Sequence, residues 1–158
     1  MSAERDLATI ERLYAGLAAH DGDAMAACYA PQATFTDPIF VGLGPGAAQD
    51  MWRMLTSRAV DMTVDLVEHE AGGDSRGTAR WIAHYTFSST GRRVVNDVQS
   101  LFRFDDAGLI VWQQDDFDFW RWARQALGRP GLLLGWTPVL QHKVRDTSKA
   151  QLAAFRDD

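Results

Sequence analysis

The sequence predicts an α+β fold, and two changes of period along it carry that prediction. Apolar residues recur at helical spacing up to about residue 58, alternate with a period of two from about residue 59 to residue 118, and return to helical spacing beyond residue 119. The chain has 158 residues and 46% apolar content, enough for one domain with its own core, and this excludes a disordered chain. A single cysteine, Cys28, excludes an internal disulfide framework.

Each element follows from its local pattern. Between residues 4 and 19, Leu7, Ile10, Leu13, Tyr14 and Leu17 form one stripe, with Glu4, Arg5, Glu11 and Arg12 mostly off it, which predicts an amphipathic helix. The HDGD segment stops that helix, and Asp21 or Asp23 can cap a short second helix that runs through Tyr29 and ends at Ala30-Pro31. Ala33 to Thr36 reads as a short strand. Gly42, Gly44, Pro45 and Gly46 break the chain before Ala47, Ala48, Met51, Trp52 and Leu55, which predict a third helix. Met62, Val64 and Leu66 then alternate with Thr63, Asp65 and Val67, and Trp81, Ala83, Tyr85 and Phe87 alternate with Arg80, Ile82, His84 and Thr86. Turns at Gly72-Gly73-Asp74, Thr90-Gly91 and Asp105-Asp106-Ala107-Gly108 divide this region into four strands, the last two being Val94 to Phe104 and Leu109 to Asp118. Two helices, a strand, a helix and a four-strand antiparallel meander result. Phe119, Trp122, Ala123, Ala126 and Leu127 resume helical spacing. Gly128, Pro130 and Gly131 interrupt it, the apolar GLLLGW run follows, and a last basic helix spans about Thr137 to Phe155.

The net charge of -5 is an average over two regions. Residues 1–118 carry eighteen acidic and nine basic side chains, whereas residues 119–158 carry three and seven, along with three of the six tryptophans. The acidic field of the body opposes polyanions, so no nucleic-acid partner is expected. The richest apolar run, GLLLGWTPVL, is broken by Pro138 and falls short of the roughly 20 residues needed to cross a bilayer. MSAERDLATIERL has charges where a secretory signal needs an apolar segment, so a cytoplasmic location is expected. His20, His69, His84 and His142 show no metal-ligand spacing, GLGPG lacks the setting of a dinucleotide site, and no GxSxG or phosphate loop is present. Neither a metal nor a cofactor is expected. Cys28, beside Ala26, Ala27 and Tyr29, reads as core.

The segments YAGLAAHDGDAMAACYAPQATFTDP and SLFRFDDAGLIVWQQDDFD, with the Gly-rich entry to the third helix, resemble the nuclear transport factor 2-like superfamily. Within it the chain is similar to the SnoaL-like, ketosteroid-isomerase-like and limonene-epoxide-hydrolase-like small proteins. The resemblance covers residues 4–118 and implies a conical, curved antiparallel sheet wrapped around three N-terminal helices, with a pocket inside. Residues 1–118 would form the cone, and residues 119–158 a C-terminal helical extension packing on it or capping it within the same domain. The superfamily includes isomerases, cyclases, epoxide hydrolases, dehydratases and pockets without catalysis, so the fold does not choose a chemistry.

In such a cone, alternation assigns Trp81, Ala83, Tyr85 and Phe87, Asn96, Val98, Ser100, Phe102 and Phe104, and Gln113, Asp115 and Phe117 to the concave face. The candidate ligand-binding residues are Tyr14, Phe35, Trp52, Trp81, Tyr85, Asn96, Ser100, Phe102, Gln113 and Phe117. Aromatic walls with sparse polar groups suit a hydrophobic small molecule. The opposite face presents Asp97, Gln99, Leu101, Arg103, Trp112, Gln114 and Asp116, a surface that is either solvated or paired sheet to sheet in a homodimer; the resemblance favours the homodimer.

Two carboxylates are the catalytic candidates. Asp37, extended before Pro38, matches the catalytic base of ketosteroid isomerases; it could also simply cap its turn. The oxyanion donors of that family fall at Leu13 and Ser100, and Tyr14 lies one residue away, about 100° round the helix, so steroid isomerisation is disfavoured. Asp115 matches a catalytic carboxylate of limonene epoxide hydrolases, but the Arg and Asp that work with it there fall at Trp81 and Ala83. Epoxide hydrolysis is therefore disfavoured as well. Asp115 could act as general acid or base, as an acidic group does in SnoaL-like cyclases, or it could be a buried carboxylate bonded to Gln113, Asn96 or Tyr85. His84 is a weaker alternative base. Two carboxylates in one apolar cavity would push their pKa values apart, so that an acid and a base coexist near pH 7. The expected function is a cofactor-independent isomerase or cyclase acting on a hydrophobic substrate; the alternative is a non-catalytic binding or accessory module. For the extension, a lid or packing role is favoured over contact with a membrane surface, because Asp146, Asp157 and Asp158 dilute its charge.

Overall fold

The period-two segments pair as a meander. In the computed structural model, which describes residues 2–157, the order is α1 (Ser2–Ala18), α2 (Gly22–Ala26), β1 (Tyr29–Thr36), α3 (Ala47–Arg58), β2 (Thr63–Ala71), β3 (Arg76–Phe87), β4 (Arg92–Phe104), β5 (Ile110–Asp116), α4 (Phe119–Leu127), α5 (Arg129–Leu134) and α6 (Pro138–Asp157). Strands β2 to β5 run antiparallel in sequence order, and β1 joins the β5 edge in parallel, giving a curved, unclosed sheet ordered β1-β5-β4-β3-β2 with helices at both ends. This is the α+β cone expected from the sequence.

Two stretches differ from the sequence reading: Pro130 and Gly131, expected to interrupt the helical spacing, lie inside α5, with Pro130 in its first turn where no backbone N–H is needed, and the start of the sheet comes earlier than Ala33. The second helix stops at Ala26 instead of running through Tyr29, and Tyr29 opens β1. Asp21 does cap α2, accepting the Ala24 N–H at 3.0 Å. Beyond it, burial of Tyr29 and Ala30 and the bond from the Ile110 N–H to the Cys28 carbonyl at 2.9 Å draw the chain into the sheet. Pro31 is tolerated because β1 is an edge strand whose register shifts between Tyr29 and Thr34.

The core lies between α1–α3 and the concave face of the sheet. Ile10, Leu13, Tyr14 and Leu17 form the buried stripe of α1, while Ala48, Met51, Trp52 and Met54 come from α3. Fully burying one such large side chain contributes about 1.5–3 kcal/mol. Along β4 the inner positions Val94, Val98, Ser100, Phe102 and Phe104 are buried and Asn96 is half-buried, while Asp97, Gln99, Leu101 and Arg103 are exposed. Gly46, at φ +79°, makes the left-handed turn into α3.

The segment after residue 118 packs on the same chain. Asp118 caps α4 by accepting the Arg121 N–H at 3.1 Å, and α4 lays Trp122, Ala123 and Ala126 against Val94. Helix α6 crosses near α3, where Arg156 pairs with Asp50 at 3.0 Å and Leu152 joins the main core. Among the described residues, no helix is long and apolar enough to cross a membrane.

Candidate active site

A cavity of about 570 Å³ opens between the concave face, α3 and the C-terminal helices. Trp52, Trp81, Tyr85, Asn96 and Phe117 line it, and both Asp37 and Asp115 reach its wall. These seven sequence candidates come from α3, three strands or their ends, and the loop after β1.

Asp37 sits in the turn that follows β1. Its Oδ1 accepts the backbone N–H groups of Ile39 at 2.7 Å and Phe40 at 2.6 Å, so the turn-capping role is present. Neither bond uses Oδ2. Burial pushes the carboxyl up to about 6, against those two N–H groups and the nearby Arg145 guanidinium, which favour the ionised form.

Asp115 lies deeper, on β5. Burial pushes it up to about 7; hydrogen bonds from Ser100 and Gln113 oppose this, and the charge of Asp37 adds to it. The bonds around it have a fixed direction. Indole N–H groups only donate, so the Trp52 Nε1–H bond to Tyr29 Oη at 2.7 Å makes the Tyr29 hydroxyl donate onward to Gln113 Oε1 at 2.5 Å. The Gln113 amide is thereby oriented with Nε2 donating to Asp115 Oδ1 at 2.8 Å. In a second branch the Trp81 Nε1–H donates to Ser100 Oγ at 2.9 Å, and Ser100, paired across the sheet with Asp115, donates to the carboxylate. Tyr14, 2.8 Å from Ser100 Oγ, must then be a donor too. Both branches end on the carboxylate of Asp115.

Five sequence candidates lie behind the wall instead of on it. Tyr14, Phe35, Ser100, Phe102 and Gln113 are each nearly inaccessible: α1 covers Ser100 and Phe102, with Tyr14 at 5.2 Å from Trp81 and 6.4 Å from Phe102 between ring centres, while Tyr29 of β1 covers Gln113. Phe35 sits edge-on to Trp52 at 5.9 Å. Their contribution is to hold the wall and orient Asp115. Burial and the charge of Asp115 hold Tyr14 and Tyr29 well above the usual phenol range, and burial carries Tyr85 up to about 12. All three stay protonated near neutrality and serve as donors, not bases.

The sequence reading missed the far wall. Leu140, Val144, Thr147, Ser148 and Gln151 of α6 line the cavity, with Lys143 at its rim and Trp122, Leu127 and Pro130 alongside. Their spacing of three and four along α6 was the available signal; their mixed polarity kept it from standing out as a stripe. Among the described residues, no histidine lines the cavity: His84 is half-buried on the outer face, His20 bonds the Met62 carbonyl at 2.8 Å, and His69 meets Glu11 at 3.3 Å. Cys28 is buried in the core, and burial raises its thiol pKa. Among the described residues, no group of three or more His, Cys, Asp or Glu side chains is gathered as metal ligands.

Residues 10–113 match the SnoaL-like domain family. The chain belongs to that family. Its match includes Asp37 and ends two residues before Asp115, so the deeper carboxylate and the whole helical extension lie outside it. Among solved structures, this SnoaL-like chain is similar to a candidate polyketide cyclase from Xanthomonas campestris pv. campestris, at 17% identity and a TM-score of 0.69 over 79% of this chain and 98% of that one. It is also similar to an LEH-like epoxide hydrolase from M. tuberculosis, at 19% identity and a TM-score of 0.66 over 84% and 96% of the two chains. A Catenulispora acidiphila protein of ketosteroid isomerase-like fold, solved with trimethylamine, aligns at 16% identity and a TM-score of 0.66 over 82% and 97%. At these identities the likeness is one of fold. No curated protein sequence matches the chain.

Proposed function

We propose that this SnoaL-like protein is a cofactor-independent isomerase or cyclase that moves protons on a hydrophobic small molecule. The observation that carries the reading is the pair of carboxylates on one aromatic cavity, raised to about 6 and about 7. At pH 7 Asp37 is mostly ionised and Asp115 is close to half protonated, so the first is the base and the second the acid. Oδ1 of Asp115 receives the Gln113 N–H and Ser100 donates to the same carboxyl, so the group is held in place by two donors while it exchanges its proton. Asn96 and the Tyr85 hydroxyl, itself accepting from Trp122 Nε1 at 2.8 Å, would orient a substrate carbonyl or hydroxyl.

The polyketide cyclase and epoxide hydrolase among the structural neighbours are consistent with acid–base work in this fold. Between them, the cyclase type is favoured, because Trp81 and Ala83 stand where the Arg–Asp pair of limonene epoxide hydrolases is expected and neither can polarise an epoxide or hold a nucleophilic water. A non-catalytic binding module is the second reading, favoured by the Asp37 turn cap, which alone accounts for a carboxylate at that position.

Carbon-13 NMR titration of the aspartate carboxyls distinguishes the two. Values near 6 and 7 that shift when an aromatic polyketide-like ketone binds support the enzyme. Values near 4 for both groups, unmoved by any ligand that stabilises the fold, would leave the binding module.

A further inference from the structure

Five large apolar side chains that are at least half exposed follow one another closely between residues 132 and 139, just beyond Leu127 and Pro130 of the cavity wall. Leu132, Leu133 and Leu134 on α5 are at least half exposed, and Trp136 and Val139, just beyond, are 72% and 78% exposed. The backbone holds them out. A Cβ at Gly131 would lie 1.9 Å from the Ala123 carbonyl, and one at Gly135 would lie 2.4 Å from the Gly131 carbonyl, so α5 is pressed against α4 through its glycines and its leucines point to solvent. The flanking indoles are pinned there too. Trp136 Nε1 donates to the Leu133 carbonyl at 3.1 Å, Trp120 Nε1 to the Leu132 carbonyl at 3.3 Å, and Arg124 lies 4.6 Å over the Trp120 ring. A contiguous apolar crest of this kind on a folded chain marks an interaction surface.

Charge selects the partner. The acids that dilute the charge of the extension, Asp146, Asp157 and Asp158, all fall from residue 146 onward, whereas residues 119–145, between Asp118 and Asp146, contain five basic side chains (Arg121, Arg124, Arg129, Lys143 and Arg145) and no acidic one, in a protein of net charge -5. A second copy meeting this crest through a two-fold axis would oppose like charges, and a head-to-tail arrangement would not close. The complementary partner is apolar just beneath an anionic surface, which describes the headgroup boundary of a bilayer. Leucines and tryptophans with arginines beside them, here Arg124 over the Trp120 ring and Arg129 at the start of α5, are the composition that lies in that boundary, and the acidic body would orient the molecule with this end down.

We propose that the α5 crest docks the protein on an anionic lipid bilayer. The crest adjoins Leu127, Pro130, Leu140 and Val144 on the cavity wall, so docking brings the mouth of the cavity to the acyl boundary, a route for an apolar ligand that avoids water. The docking itself does not depend on the cavity being catalytic.

The test is co-sedimentation of the full chain with vesicles of phosphatidylcholine and phosphatidylglycerol in equal parts, against vesicles of phosphatidylcholine alone. The wild-type chain should partition to the anionic vesicles and be released by salt. L133S/W136S should lower that partitioning at least ~10-fold, and R124Q and R129Q by about fivefold each. All of these positions are exposed or peripheral, and an unchanged circular dichroism spectrum and melting temperature check that the variants fold. Absence of sedimentation with anionic vesicles, equal sedimentation with neutral ones, or full retention by L133S/W136S would each overturn the proposal. So would a fall in solution mass of L133S/W136S by sedimentation equilibrium without any vesicle binding, which would give the crest to a second copy or another protein.

Discussion

Asp115 is an acid whose folded-state pKa lies above its unfolded value, and the sign of its effect on stability follows. Between the two values the folded chain holds a proton that the unfolded chain has released, so stability falls as pH rises from about 4 to about 7 and is level above that. At about 1.4 kcal/mol for each tenfold change in proton affinity, the loss attributable to Asp115 is on the order of 2–4 kcal/mol. Asp115→Asn keeps an acceptor for the Gln113 N–H and removes the titration. Urea unfolding at pH 4.5 and pH 8 should then show the wild type losing about 2–3 kcal/mol more than the variant over that interval; equal losses would mean that Asp115 titrates normally. The donor chain makes a second prediction. Tyr29 does not touch Asp115, yet Tyr29→Phe removes the donor that orients the Gln113 amide. The Asp115 carboxyl should titrate higher in that variant while Asp37 stays near 6; an unmoved Asp115 would show that the amide orients itself.

At the scale of elements, the strands were the most legible part of the chain, because one face is buried and a slip by one residue would expose every core side chain of β3 or β4. The concave set, with Trp81, Asn96 and Asp115 in it, could therefore be read from alternation alone. Depth could not. Whether Ser100 faces a void or Tyr14 depends on how far α1 reaches across the sheet, and whether Gln113 does or meets Tyr29 depends on where β1 joins it; no local pattern encodes either distance. The β1 boundary failed for a related reason, since Pro31 reads as a stop until the strand is known to be an edge. Helix α6 was legible as a helix but not as a wall, being held by few buried groups. Its contact with the Asp37 turn is specific nonetheless: Arg145 Nε donates to the Pro38 carbonyl at 2.9 Å, and its charge favours the Asp37 carboxylate. Arg145 is a positioning residue. Arg145→Met should raise the Asp37 pKa and weaken any activity that needs Asp37 ionised, shifting the acidic limb of the pH–rate profile upward, with Asp115 little changed and Arg145→Lys restoring part of the shift. A profile identical to wild type would separate α6 from the base.

For the molecule as a whole, the sheet leaves its outer face without a layer of helices. That face carries Leu101, 48% exposed, Val95, 40% exposed, and Trp112 beneath the Arg103 guanidinium at 5.2 Å. Its charges are mixed, as in the Arg80–Asp97 pair at 2.8 Å, and that pair, being exposed, contributes little to the fold. A mixed face can meet itself across a two-fold axis with opposite charges in register, which the apolar crest, flanked by Arg124 and Arg129, cannot do. Pairing here would leave the cavity open, since the cavity lies on the concave side. The expected assembly is a homodimer through the outer faces of β3, β4 and β5, burying at least about 1,000 Å² if it is stable. Leu101→Glu places a charge in the middle of that surface without touching the core of the subunit. Sedimentation equilibrium should give two chains for the wild type and one for the variant, and the wild-type melting temperature should rise with protein concentration while that of the variant does not. A wild-type chain that sediments as a monomer, or a Leu101→Glu variant that stays paired, would return this face to solvent and leave the crest as the molecule's one large contact surface.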